Sequence, residues 1–193
     1  MKHSADAGRC TPMAANGVTL FDWLNRAPEL VLRSTLHTLR ANTSAQWASL
    51  TPLLFVDNVS STSVYRHPRD TVSDAVLRSL ATDAINAGMR VLIKPHLLVR
   101  CALHGGGCAV GRPCRVMRKR GPAPAKCTRL NLGCNAGEEW RSAEWSQFFE
   151  SYAAQVAQYA RLAKAVGASA FCVATELSCA VAAAPSPLWR RLV

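Results

Sequence analysis

The sequence predicts an α/β fold in which helices alternate with parallel strands, and three observations support this. Apolar side chains recur at steps of three and four along residues 148–166, which is the spacing of one buried helix face. After Gly167, a helix-ending residue, the apolar run 170–173 is typical of a short strand buried on both faces. An earlier helix pattern over residues 76–85 is followed by an apolar run over 90–96. Together with the later helix and strand, this makes two successive β–α–β units, which pair their strands in parallel.

The composition is that of a globular protein with one core. Of 193 residues, 49% are apolar and 18% are charged. The 23 Lys and Arg exceed the 12 Asp and Glu, giving a formal net charge of +11.

Seven of the basic residues fall between Arg112 and Arg129. This cluster is either a solvated basic loop or the contact surface of a nucleic-acid-binding module. Aromatic residues are not interleaved with it, so nucleic acid is not the expected partner.

Residue patterns argue against several other classes of protein. No apolar run of 18 residues occurs, so no membrane-spanning helix is expected. Residues 1–16 have no apolar core of the kind that signal peptides carry, which makes a cytoplasmic location and reduced thiols the default expectation. Five of the eight cysteines lie between residues 98 and 137 without a Cys-x-x-Cys pair. We therefore predict no metal and no cofactor, with a metal-bound cysteine cluster as a further hypothesis.

The first part of the chain divides into a loose segment and two predicted units. Residues 1–27 carry little pattern and are expected to be loose, ahead of a single domain over 28–193. Pro28 favours a helix start, and residues 47–56 read as a strand in which Pro52 disfavours a central position for the later half. Residues 57–70 are polar and predicted to be a loop. Thr71 and Asp74 resemble a capping box before an apolar helix stripe that ends at Gly88.

Residues 90–96 form the next predicted strand, and an insert over about 98–137 interrupts the alternation. The insert contains glycine, proline, cysteine and arginine, and no regular element is expected in it. A structureless segment of this length is unusual in a compact domain. It is interpreted as a disordered loop or as a segment foreign to the fold, and translated non-coding sequence is one hypothesis for its origin.

Two titratable residues end predicted strands and are candidate site residues. Alternation along the last strand places Cys172, Ala174 and Glu176 on one side, so Glu176 would be a candidate acid/base at the mouth of a sheet. The alternative is a surface glutamate that caps the next turn. His96 shares a side of its strand with Lys94 and would open onto the same mouth. Its alternative is a histidine hydrogen-bonded to the backbone. Trp140 and Trp189 could stack on sugar rings or pack in the core.

Together, these motifs resemble glycoside hydrolase family 113, mannanase-like enzymes of the (β/α)8-barrel retaining glycosidases. The resemblance rests on short motifs that occur in order with plausible spacing. They are Gly88-Met-Arg-Val-Leu-Ile-Lys-Pro-His96, Trp140-Arg141, Trp145-x-x-Phe-Phe-x-Ser-Tyr152, Tyr159-Ala-x-Leu-Ala163, Thr175-Glu-Leu177 and Trp189-Arg190. The match covers residues 47–193 apart from the insert. Ala174 stands where the family pattern leads us to expect glycine.

The resemblance implies a partial (β/α)8 TIM barrel, comprising about strands two to four with their helices. It implies that Glu176 is the general acid/base and that His96, Trp140, Arg141 and Trp189 bind a β-linked, mannan-type polysaccharide. A barrel takes about 250 residues and this clan draws its nucleophile from strand seven, so we expect the chain to be an N-terminal half without turnover of its own. A half barrel leaves open strand edges and an uncovered interior face, and both predict self-association.

Overall fold

The computed structural model describes residues 17–20, 27–58, 60–100, 102–103, 106–107, 132, 134–135 and 138–192. Most of the described chain alternates between strands and helices. The strands are β1 (Gly17–Leu20), β2 (Trp47–Leu50), β3 (Leu53–Val56), β4 (Arg90–Ile93), β5 (His96–Val99), β6 (Ala102–Leu103), β7 (Gly106–Gly107), β8 (Cys134–Asn135), β9 (Glu138–Glu139) and β10 (Ala170–Phe171). The helices are α1 (Glu29–Thr43), α2 (Asp74–Asn86), α3 (Ser142–Val166), α4 (Ser178–Ala183) and α5 (Ser186–Arg190).

The central sheet is parallel, and a helix connects each strand to the next. Its order is β1-β2-β4-β10, with α1, α2 and α3 in the successive connections. The strands β3 and β5 form a second parallel pair. This arrangement confirms the predicted β–α–β units.

Two prolines explain why the predicted strands are each divided in two. Leu50 lies opposite Ile93 in the first parallel pair and Leu53 lies opposite His96 in the second, so the register is the same on both sides of the break. Lys94 N–H donates to the Leu50 carbonyl, and His96 N–H donates to the Pro52 carbonyl, both at 2.9 Å. Pro52 and Pro95 occupy matching positions between these bonds and lack N–H donors. The predicted strand over 47–56 is therefore continuous in direction, and the strand predicted over 90–96 extends to Val99.

The two faces of this sheet differ in what they contact. Side chains that alternate along the strands pack with the three long helices in one apolar core, and from the strands they include Ala48, Leu50, Leu54, Val56, Val91, Ile93 and Leu97. The opposite residues form what we call the inner face, which carries Ser49, Thr51, Leu53 and Phe55 beside Leu92, Lys94, His96 and Leu98. A half barrel was expected to leave this face uncovered. That expectation is wrong at Thr51, Leu53, Phe55 and His96, all of which are buried.

The helices largely follow their predicted apolar stripes. In α3 the predicted face is buried from Phe148 to Ala163, and Gly167 ends the helix in the left-handed conformation at φ +71°. In α1 the buried residues are Leu32 and Leu36. The predicted cap of α2 is wrong, because Ser73 caps this helix by accepting from the Val76 N–H. Thr71 instead donates its hydroxyl to the Leu53 carbonyl, which ties the preceding loop to β3.

Three further features differ from the sequence prediction. β1 lies within residues 1–27, which were expected to be loose, and pairs with β2 along its full length. β10 contains two half-buried residues and is not a four-residue strand buried on both faces. Residues 98–137 were expected to be irregular, but β5 continues to Val99 and β6 and β7 form a short antiparallel pair. Near the end of this range, β8 pairs in antiparallel with β9, which lies just beyond it.

The cysteines and the basic cluster are only partly within the described chain. Cys179 in α4 is disulfide-bonded, so the expectation of reduced thiols is wrong for this residue, whereas Cys172 is free. The basic residues between Arg112 and Arg129 lie outside the described residues, as do Cys101, Cys108, Cys114 and Cys127.

Candidate functional site at the strand ends

The carboxyl ends of the parallel strands all lie at one edge of the sheet, and Glu176 comes after one of them. In α/β folds with parallel strands, ligands bind at this edge because the loops that follow the strands converge there. β10 pairs in parallel with β4, placing Phe171 opposite Ile93, and the Cys172 N–H extends the ladder to the Ile93 carbonyl at 2.9 Å. The chain that follows β10 therefore leaves the sheet at this edge.

Glu176 lies five residues beyond the end of β10, in the turn before α4. Its φ is +55°, a left-handed conformation that non-glycine residues rarely adopt. The side chain is exposed, whereas the next residue, Leu177, is buried in the core. Such backbone strain costs about 1–3 kcal/mol and is concentrated at functional sites. The conformation is thus a structural reason, independent of sequence motifs, to consider Glu176 functional.

The segment between β10 and Glu176 is fixed by hydrogen bonds and does not continue as a strand. The Tyr152 hydroxyl, from α3, donates to the Val173 carbonyl at 2.9 Å, and the Cys172 thiol donates to the Ala174 carbonyl at 3.1 Å. Because the strand ends at Phe171, the alternation predicted to align Cys172, Ala174 and Glu176 does not apply. Burial strongly raises the pKa of the Tyr152 hydroxyl, so this donor stays protonated at physiological pH.

His96 lies on the inner face, one position after the break in its strand. Its side chain is buried, and its backbone N–H donates to the Pro52 carbonyl. Lys94 precedes it on the same face and is half-buried. The predicted sharing of one strand side by Lys94 and His96 is therefore observed. A buried histidine is typical of a side chain with defined hydrogen bonding, rather than of one that moves freely in solvent.

Trp140 and Arg141 lie at the start of α3, between β9 and the first residue of the helix. Trp140 is half-buried and contacts the rings of Trp145 and Phe148, with centroids 4.8 and 5.3 Å away. Arg141 is exposed, and its backbone N–H donates to the Glu144 carboxylate at 3.0 Å. Trp140 thus has core partners and an accessible part, while the Arg141 side chain points into solvent beside the same edge.

Trp189, the last predicted site residue, lies on α5 and packs against α3. Its ring contacts Phe149 edge-on at 4.8 Å, and its indole N–H donates to the Ala180 carbonyl at 3.1 Å. The described contacts of Trp189 therefore join α5 to α3 and α4, and they include neither His96 nor Glu176. Of the two interpretations left open for this residue, core packing accounts for every contact that the structure describes.

Sequence reasoning missed a polar cluster at the same edge, formed by Asp57, Tyr65 and Arg100. The Tyr65 hydroxyl donates to the Asp57 carboxylate at 2.6 Å and accepts from the Arg100 guanidinium at 3.4 Å. Burial and the Asp57 carboxylate raise the pKa of Tyr65, outweighing the opposing effect of Arg100. The available signal was positional, because Asp57 and Arg100 each directly follow an apolar strand. Residues 57–70 read simply as a polar loop.

Neither a metal centre nor a membrane-spanning helix occurs in the part of the chain that the structure describes. No three His, Cys, Asp or Glu side chains there are arranged to hold a metal ion. None of the helices there combines the length and apolar character needed to cross a membrane.

The comparisons with known proteins agree with the geometry of the sheet. Residues 128–193 match the family model of Glycoside Hydrolase Family 113. Two solved structures of a GH113 β-1,4-mannanase, one of them a complex, are 21% and 22% identical, with TM-scores of 0.66 and 0.65. A GH113 β-mannanase from Alicyclobacillus acidocaldarius in complex with ManMIm is 23% identical, with a TM-score of 0.63. No curated protein sequence matches the chain.

The chain has a GH113-like fold. Each of the three structural matches covers 92% of this chain and 49–50% of the matched one, so the chain spans about half the length of the solved structures it resembles. The predicted resemblance and the predicted partial (β/α)8 barrel are both confirmed. In the described part of this chain, the parallel strands occupy four positions, which are β1, β2 with β3, β4 with β5, and β10.

Proposed function

We propose that this chain contributes the acid/base half of a glycoside hydrolase site that acts on β-linked, mannan-type polysaccharide. The observation that carries the proposal is the left-handed backbone at Glu176, in the turn that follows β10, a strand that pairs in parallel with β4. The match to Glycoside Hydrolase Family 113 over residues 128–193 supports it, because it spans Trp140, Arg141, Glu176 and Trp189.

In the proposed reaction, Glu176 donates a proton to the oxygen of the leaving sugar and later accepts one from water. A retaining glycosidase uses one carboxyl group in both steps and a second one as nucleophile, about 5–5.5 Å from the first. We assign the nucleophile to no residue of this chain, and accordingly propose that the 193-residue chain alone has no turnover.

The other proposed site residues would contribute to binding the sugar beside Glu176. His96 would border the sugar that is cleaved, from its buried position on the inner face. Trp140 and Arg141 would shape the cleft from the start of α3. Trp189 is included because the family match spans it, while its described contacts all serve packing.

The proposal is tested by measuring saccharide binding and hydrolysis by the full 193-residue chain. We expect the chain to bind β-1,4-linked mannohexaose without releasing reducing ends. In a complete barrel that contains this chain as its first half, Glu176→Gln should lower kcat by at least about 100-fold, because general acid catalysis contributes about that much or more. Glu150→Gln, an exposed carboxylate on α3, is the matched control. Hydrolysis that survives Glu176→Gln would refute the assignment.

A further inference from the structure

The inner face of the sheet ends in two residues of opposite charge that lie side by side. Val56 is paired with Val99 at the end of β3 and β5, so the next two opposite positions are Asp57 and Arg100. The Arg100 N–H donates to the Val56 carbonyl at 2.7 Å, which keeps the two chains together at this point. Strand alternation then places Asp57 and Arg100 on the inner face, in the columns that contain Phe55 and Leu98.

Tyr65 joins these two residues from the loop that follows β3. The loop folds back so that Tyr65 and Phe55 exchange both backbone hydrogen bonds, each 2.9 Å long. Directly opposed residues in such a bridge project to the same face, and the two rings are 6.3 Å apart. The Tyr65 hydroxyl therefore lies between the Asp57 carboxylate and the Arg100 guanidinium, as its hydrogen bonds to both show.

The loop does not need this polar cluster to hold its place. Ser151 on α3 bonds to both backbone groups of Val64, at 2.7 and 3.2 Å. Thr71 accepts from the His67 N–H and donates to the Leu53 carbonyl. Because these contacts and the bridge to Phe55 already fix the loop, the three polar side chains are available for another role.

The cluster retains hydrogen-bonding capacity that a ligand could use. The bond from Tyr65 occupies one oxygen of the Asp57 carboxylate, and Arg100 uses one of its five N–H donors on Tyr65. Asp57 is exposed, while Tyr65 and Arg100 are half-buried. Within the described chain, no direct ion pair joins Asp57 to Arg100. The phenol separates the two charges, and each remains able to bind a polar group.

We propose that Asp57, Tyr65 and Arg100 form a sugar subsite that binds a pair of hydroxyl groups on a ring other than the one held at Glu176. This inference rests on the proposed function. Each sugar hydroxyl can donate to the carboxylate and accept from the guanidinium, whose planar donors suit neighbouring oxygens. β10 is the neighbour of β4 in the sheet, and Arg100 follows β5, which continues the direction of β4. The subsite and Glu176 therefore both lie beyond the carboxyl ends of parallel strands, and a saccharide that contacts both must be an extended chain of several sugars.

The experiment titrates the full chain, carrying Glu176→Gln to prevent turnover, with β-1,4-linked mannohexaose in a calorimeter. We expect Asp57→Asn and Arg100→Gln each to raise Kd by about 10- to 150-fold, the loss typical of one hydrogen bond to a charged group. Tyr65→Phe should raise Kd by about 2- to 5-fold, because the ring stays in place but the hydroxyl that orients Asp57 and Arg100 is removed. Arg90→Gln is the matched control. Arg90 begins β4, at the opposite end of the β4–β5 segment from Arg100, and its guanidinium stacks on Trp47.

The outcomes separate this subsite from the proposed function. An unchanged Kd in Asp57→Asn and Arg100→Gln, with the parent chain still binding saccharide, would overturn the subsite and leave the proposed function standing. An equal rise of Kd in Arg90→Gln would also overturn the subsite, because affinity would then depend on the overall charge of the protein and not on Arg100. A parent chain that binds no mannohexaose would overturn both proposals. Should either charge variant fail to fold, as judged by its melting curve, Tyr65→Phe decides alone.

Discussion

The Tyr152 hydroxyl donates a hydrogen bond to the Val173 carbonyl, 2.9 Å away, and so connects the middle of α3 to the chain that leads from β10 to Glu176. The ring is buried and stacks on Phe148, with centroids 5.5 Å apart. The helix that covers the sheet therefore also sets the path of the segment that precedes the proposed acid. Packing and site geometry depend on the same side chain.

Replacing Tyr152 by phenylalanine should loosen this connection without opening the core. Phenylalanine keeps the ring contacts but leaves the Val173 carbonyl without its donor, which costs about 1–2 kcal/mol. We expect chemical denaturation to show that loss, and amide hydrogen exchange to be faster in residues 172–177.

Tyr159→Phe is the control, because Tyr159 lies on the same helix but faces Arg66 and Asp74. It should leave the exchange of residues 172–177 unchanged. Equal protection of that segment in Tyr152→Phe and in the parent protein would contradict the role given to this hydrogen bond.

Gly17 occupies a place in β1 where a side chain does not fit. A Cβ atom built on it would lie 2.9 Å from the Cβ of Trp47, its partner in the parallel register. We therefore expect Gly17→Ala to push β1 away from β2 and to lower the free energy of unfolding by about 1–3 kcal/mol. Thr19→Ala, at an exposed position of the same strand, should have a much smaller effect. Thermal unfolding of both variants tests this, and equal melting temperatures would contradict it.

Local pattern predicted the helices well because each buried helical face repeats along a single segment. The stripe from Phe148 to Ala163 and the terminating Gly167 needed no information from elsewhere in the chain. The same holds for the parallel pairing, because apolar strands separated by amphipathic helices leave few alternatives.

What the sequence did not predict depends on partners distant in the chain. β1 is recognisable only through its pairing with β2, since four residues with one buried side chain carry no pattern of their own. Pro52 and Pro95 looked like interruptions, yet their matching register lets both strands continue past them. The Asp57–Tyr65–Arg100 cluster combines two strand ends and a loop that folds back. No local signal specifies such a meeting of side chains.

Helix ends offer a paired test of backbone conformation. Gly167 after α3 and Ser44 after α1 both adopt left-handed conformations, with φ of +71° and +53°. Glycine has no Cβ atom and tolerates this region, whereas other residues are strained in it by about 1 kcal/mol. Gly167→Ala should therefore destabilise the protein by about that amount, and Ser44→Gly should stabilise it by about 0.5–1 kcal/mol. Urea midpoints that shift in the same direction for both variants would contradict this explanation.

The two cysteines nearest Glu176 should differ in their reactivity. Cys172 is free and half-buried, while Cys179 is disulfide-bonded. Iodoacetamide applied to the native, non-reduced protein should therefore modify Cys172 and not Cys179, as judged by mass spectrometry of the digested peptides. Prior reduction should make Cys179 available. Labelling of Cys179 without a reductant would show that this disulfide does not form in solution.

Asp74 should make stability depend on pH in the acidic range. Burial alone would raise the pKa of this carboxyl group, but hydrogen bonds from Arg66 and Gln158, with the charges of Arg66 and Arg78, lower it below its ordinary value of 3.8. The contacts measure 2.7 Å to Arg66 and 2.8 Å to Gln158. They connect the loop after β3, the first turn of α2 and the middle of α3.

The sign of the effect follows from the lowered pKa. A carboxyl group that is more acidic in the folded state than in the unfolded state binds fewer protons when folded, so its stabilisation is complete above the unfolded value. That stabilisation is lost as pH falls from about 4 through the folded pKa. Urea midpoints of the parent protein and Asp74→Asn should thus differ near neutral pH and converge in acid. The difference in urea midpoint between Glu150→Gln and the parent protein should not show this convergence in acid. A difference for Asp74→Asn that stays constant with pH would show that the charge of Asp74 does not stabilise the fold.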